Sequence, residues 1–165
     1  MRSIELVLDP AAERAVRDAW EALVTADLPS MGRHTSDTNA PHVTLTAGEA
    51  LPVPTAFDAP LPTTVRPAGL LLFPAGPGRH VLGVGIVVDR TLAAFHEAVH
   101  RAAPGGVDTA LPGRWVPHLT LARRPRDVDL PRMLEALTAV PLPEEFGVAG
   151  VRHWDGETKT VTPLG

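Results

Sequence analysis

The sequence predicts an α+β protein made of two similar lobes about a pseudo-two-fold axis. Three observations predict it. The pentapeptide Pro-His-x-Thr-Leu occurs twice, as Pro41-His42-Val43-Thr44-Leu45 and as Pro117-His118-Leu119-Thr120-Leu121. Each copy follows an apolar strand-like run, an amphipathic helix and a polar loop, in that order. The 165 residues suit one domain, or one domain of two lobes, with a real core.

The elements follow from the chain in order. Residues 4–8 form a short apolar run ending at Asp9-Pro10, an N-cap with proline at the first helical position. Ala12, Val16, Trp20 and Leu23 recur at helical spacing, which predicts a helix over about 10–26. A loop with Gly32 and Asn39 leads into the first motif. Residues 81–88 are rich in β-branched side chains, and Asp89 caps a second helix marked by Leu92, Phe95 and Val99. Pro104-Gly105-Gly106 stops that helix, and a loop ends in Trp115-Val116 before the second motif. Leu61-Pro62 and Ala68-Gly69 return as Leu142-Pro143 and Ala149-Gly150, each 81 positions on. A last strand runs over about 148–154. The 18 prolines and 14 glycines punctuate the gaps between these segments.

In a strand, each His points the same way as the Thr two residues later. Val43, Leu45, Leu119 and Leu121 then face the core. Two such strands meeting across a pseudo-two-fold would oppose two imidazoles and two hydroxyls in one cleft. That set suits phosphoryl chemistry. Histidine titrates near pH 6.5, so one ring can accept a proton while the other donates one. The threonine hydroxyls can hold the non-bridging oxygens.

The two motifs in this repeated order resemble the 2H phosphoesterase superfamily, with bacterial 2′-5′ RNA ligase-like and cyclic phosphodiesterase-like proteins as its nearest branch. The resemblance spans nearly the whole chain. It implies a bilobal, duplicated fold of two antiparallel-rich sheets, with helices outside and both H-x-T-L strands facing a central cleft. It also implies metal-independent chemistry on 2′,3′-cyclic phosphates of nucleotides or RNA ends, or on 2′-5′ linkages. His42 and His118 would be the acid–base pair, and Thr44 and Thr120 would hold the phosphate. No cofactor is expected.

Further candidates flank the second motif. Trp115 can stack on a base. An arginine soon after the motif, in a Thr-Leu-x-Arg pattern, resembles family members and points to Arg123. Strand alternation points instead to Arg124, unless the strand ends or bulges after Leu121. Arg114 and Arg126 lie nearby, and His34 and Thr35 could rim the cleft from the loop before the first motif.

Two rival functions are open to the same residues. His96-Glu97-Ala98-Val99-His100 fits H-E-x-x-H, a zinc-protease pattern, but it leaves both Pro-His-x-Thr-Leu copies unexplained. The other is a module of the same fold that binds nucleotide or RNA ends without turnover. Composition narrows the field. The chain has no cysteine, which removes disulfides, thiol catalysis and thiolate metal sites. A net charge of −4 argues against DNA or extended nucleic acid as partner. There is neither an 18-residue apolar run nor an apolar leader, so no membrane association is expected and the cytoplasm is the default compartment. A monomer acting on a small cyclic phosphate or an RNA terminus is expected.

Overall fold

The computed structural model describes residues 1–36 and 38–164. Its elements begin where the capping residues place them. β1 (Arg2–Leu8) gives way at Asp9, whose carboxylate accepts the N–H groups of Ala11 and Ala12 and starts α1 (Pro10–Thr25). The first motif strand is β2 (His42–Gly48). After the short β3 (Thr64–Val65) come β4 (Pro67–Pro74) and β5 (Arg79–Ile86). Asp89 accepts the Leu92 N–H at 2.8 Å and opens α2 (Arg90–Ala102). The second motif strand is β6 (His118–Arg126), followed by α3 (Leu130–Thr138), β7 (Phe146–Asp155) and β8 (Thr160–Leu164).

The strands form one antiparallel path, β3-β7-β1-β2-β6-β5-β4, with β8 on the side of β7. Its central six strands read the same from either end once β1 is matched with β5, β2 with β6, and β7 with β4. This is the expected pseudo-two-fold. The two expected sheets are the halves of this path, joined by the single residue pair Val43–Leu119. The repeats also exchange strands. β4 of the first repeat pairs with β5 of the second, and β7 of the second pairs with β1 of the first.

α1 buries Val16, Trp20 and Leu23, and α2 buries Leu92, Phe95 and Val99. These side chains join Ile4, Leu6, Val43, Leu45, Leu119 and Leu121 in one apolar cluster. The motif strands thus rest on an incompressible backing, which fixes their outward face. Three features differ from the sequence expectation. β5 ends at Ile86, leaving Val87 and Val88 exposed, and neither α3 nor β8 was anticipated. α3 is nine residues long and buries only Met133, too short a pattern for its period to stand out. Among the described residues, no helix is long and apolar enough to cross a membrane.

Candidate active site

Each motif histidine opens its strand, and each ring is anchored from behind in the same way. His42 Nδ1 lies 2.8 Å from the Ala40 carbonyl, and His118 Nδ1 lies 2.9 Å from the Val116 carbonyl. A carbonyl only accepts, so each Nδ1 carries the hydrogen and each Nε2 is left for chemistry. Continuing the Val43–Leu119 register by one residue sets His42 beside Thr120 and His118 beside Thr44, all on one face. All four side chains are half-buried.

The motif strands are braced crosswise. Trp20, from the first repeat, donates its indole N–H to the Thr120 carbonyl at 3.0 Å. Trp115, from the second, donates to the Thr44 carbonyl at 2.9 Å. Each repeat therefore holds the backbone of the other's threonine. This is where the structure places Trp115: its ring stacks on buried His96, with centres 3.9 Å apart, and it is absent from the cleft lining.

A cleft of about 290 Å³ opens beside His42, lined by Glu5, His34, Arg123, Arg152, Trp154 and Lys159 among others. Thr35, Arg124 and Arg126 are not in its lining. Arg123 reaches it because β6 bulges. Leu82 pairs with Ala122 but Gly83 pairs with Thr120, so Leu121 is the extra residue and the alternation reverses after it. Arg124 then takes a left-handed conformation (φ 59°), and its carbonyl accepts from Arg79. β2 bulges at the equivalent point, where Leu45 is skipped between the Ile4–Thr46 and Glu5–Thr44 pairs. Arg114 pairs with Asp108 at the surface.

The walls of the two histidines differ. The residue paired with Thr44 is Glu5, buried and bonded through Oε2 to Arg152 Nε at 2.7 Å. Glu5 Oε1 accepts from Ser3 Oγ and lies 3.5 Å from His42 Nε2, while Arg152 Nη2 lies 3.4 Å from His42 Nδ1. The residue paired with Thr120 is Gly83, and the His118 ring lies against it, where a Cβ would come within 3.2 Å of the ring carbon. Phe73 covers the same ring at 4.5 Å between centres. Burial in this apolar wall pushes the His118 imidazole below its ordinary value, and the nearby His42 adds to the shift.

Sequence reasoning missed Glu5, Arg152, Trp154 and Lys159 as residues of the cleft. A signal existed: Glu5 interrupts the apolar run Ile4-Glu5-Leu6 on the face that the motif predicts to be polar. Lys159 lies beyond any motif and reaches the cleft through the β7–β8 hairpin, with its ammonium 5.4 Å from the Trp154 ring centre.

The H-E-x-x-H helix does other work. His96 Nε2 lies 3.0 Å from the Leu45 carbonyl and 2.9 Å from the Ala110 carbonyl, so its N–H ties the loop before the second motif to β2. Glu97 lies at the surface near Arg101. Among the described residues, no group of three His, Asp or Glu side chains is placed to hold a metal ion.

A duplicated α+β chain whose two H-x-T strands lie side by side at its centre defines the two-histidine class of phosphoesterases. The chain belongs to the 2'-5' RNA ligase superfamily, whose model matches residues 8–160. It is also similar in structure to Usb1 of Kluyveromyces marxianus, with a TM-score of 0.52 at 13% identity, covering 99% of this chain and 96% of that one. A second structure of that protein, with uridine monophosphate, gives a TM-score of 0.47 at 11% identity, covering 99% and 97% of the two chains. No curated protein matches the sequence.

Proposed function

We propose that this protein is a phosphodiesterase that opens 2′,3′-cyclic phosphates of nucleotides or RNA ends, or cleaves 2′-5′ linkages, by two-histidine acid–base catalysis without a metal. The observation that carries this reading is the matched pair of imidazoles, each with Nδ1 bound to a backbone carbonyl, on adjoining strands. One Nε2 takes the proton of a water as its oxygen bonds to phosphorus. The other gives a proton to the ribose oxygen as the old P–O bond breaks. The product is a 2′- or 3′-phosphate monoester. Thr44 and Thr120 hold the non-bridging oxygens, where charge builds in the transition state. Arg123 and Lys159 supply positive charge in the cleft beside His42, against a net charge of −4 for the whole chain. That favours a nucleotide or RNA terminus lying along the His42 side.

The test is turnover of a panel of 2′,3′-cyclic nucleotides and short RNAs with cyclic ends, in EDTA, with phosphorus NMR of the product. Activity should persist in EDTA. His42→Ala or His118→Ala should lower kcat by about 10²–10⁴, and Thr44→Ala or Thr120→Ala should cripple it. Binding without turnover would identify a recognition module instead, and full activity in the double histidine variant would overturn the proposal.

A further inference from the structure

The repeats supply an internal control for the neighbours of each histidine. Backbone equivalence is set by the sheet register, because Thr44 pairs with Glu5 as Thr120 pairs with Gly83. One strand further out, Glu5 pairs with Arg152 as Gly83 pairs with Leu71. The fold therefore accepts a glycine and a leucine at these positions. In the half that holds His42, it instead buries a carboxylate and a guanidinium, which are 3% and 8% exposed. Taking two charges out of water is costly, and apolar residues of similar volume usually serve stability as well or better. The pair's geometry points to His42. One carboxylate oxygen bridges Ser3 and the imidazole Nε2, and the other is fixed by Arg152.

We infer that Glu5, held by Arg152, is a positioning residue that makes His42 the proton donor to the leaving ribose oxygen, with His118 the base that activates water. This rests on the phosphodiesterase reading above. An acceptor faces each ring nitrogen of His42, the Ala40 carbonyl at Nδ1 and the Glu5 carboxylate 3.5 Å from Nε2, so each nitrogen has a place to direct a hydrogen. Among the described residues, the charged and titratable groups around it are Glu5 on β1, Arg152 on β7, His118 and Arg123 on β6, His34 in the preceding loop, and Lys159 in the β7–β8 hairpin. Of these, only Glu5 is negative. Among the described residues, no carboxylate pairs with His118; Phe73 and the Gly83 backbone enclose it, which suits a neutral base. The position of the cleft supports the same direction. A nucleoside lying beside His42 brings its own departing oxygen to that ring and leaves the His118 side to water.

An aryl leaving group separates donor from base, because p-nitrophenolate departs without a proton. Wild type, His42→Ala, His118→Ala and Glu5→Gln would be assayed on a 2′,3′-cyclic nucleotide and on a nucleoside 3′-(p-nitrophenyl phosphate). On the aryl ester the attacking group is the nucleoside's own 2′-hydroxyl, which lies on the His42 side while the phenolate departs on the His118 side, so the roles exchange. His118→Ala should lose at least a hundredfold on the cyclic substrate but under tenfold on the aryl ester, whereas His42→Ala should lose heavily on both. Glu5→Gln should lose about tenfold in kcat on the cyclic substrate with KM little changed, and almost nothing on the aryl ester. Its alkaline limb in kcat against pH should move to lower pH. Where Glu5→Gln disturbs folding, the double variant Glu5→Gly with Arg152→Leu reproduces the pair found opposite Thr120; it should melt near wild type and repeat the same substrate split. Rescue of His42→Ala rather than His118→Ala, or equal losses on both substrates in a folded Glu5 variant, overturns the inference and leaves the phosphodiesterase reading standing. Absence of any turnover by the wild type overturns both.

Discussion

Phe73 and Gly83 leave the His118 ring little water, and the loss of solvation falls on its charged form. Its protonation is therefore depressed, with the nearby His42 adding to the effect and the bond to the Val116 carbonyl opposing it. The sign is definite. The ring stays neutral to lower pH than a free imidazole, so a base at this position still works in mildly acidic solution. Truncating the wall reverses that. In an NMR titration, His118 should show a midpoint below 6.5 in the wild type and a higher one in Phe73→Ala, with the variant losing more turnover at pH 6 than at pH 8. An unchanged midpoint would show that Phe73 merely fills space. The equivalent residue beside His42 is Trp154, one of the aromatics in the cleft lining, so a single repeat position serves as a wall in one half and as part of the cleft in the other.

At the level of elements, α2 and the loop before β6 act through His96. Its ring stacks on Trp115, whose indole N–H holds Thr44, and its own N–H holds the Leu45 and Ala110 carbonyls. Burial, with His100 beside it, lowers the His96 pKa to about 4. Between about pH 6.5 and 4 the unfolded chain binds a proton here that the folded chain refuses, so stability is full above the window and falls through it. Urea unfolding should show lower stability at pH 5 than at pH 7.5, with a smaller difference in His96→Gln, which keeps a donor for the carbonyls. Asp129 and Asp155 are held at about 2 by their arginine partners, so their contribution is lost only at more acid pH. Equal pH slopes in variant and wild type would refute this role for His96. These elements also show what the sequence reveals. Caps, helical stripes and the doubled motif were legible because each is a local pattern, and the bulge that decides between Arg123 and Arg124 was legible only as an alternative. Trp115 was readable as an aromatic near the site but not as a brace, because its partner Thr44 lies 71 residues away. Glu5 and Arg152 lie 147 apart, and no local period links them.

Across the whole molecule, the exchange of strands makes two recognisable repeats into one folding unit. β4 completes the sheet of the second repeat and β7 that of the first, while the indoles of Trp20 and Trp115 cross the join to the opposite motif. A half-chain would leave β1 without β7, and β4 without any partner strand. It would also present Val43 or Leu119 without its opposite. Unpaired strand edges and an open apolar face would then remain in each fragment. The β4–β5 turn offers a place to test this, since Gly76 and Gly78 hold positive φ there and the chain crosses at the surface. Fragments 1–76 and 77–165 should each lack a cooperative thermal transition alone. Co-expressed, they should associate, regain the melt and recover the proposed phosphodiesterase activity, because only together do they bring His42 and His118 onto adjoining strands. A half that melts cooperatively by itself would show that the repeats are independent domains and that the crossed strands and indole braces are not what holds the site.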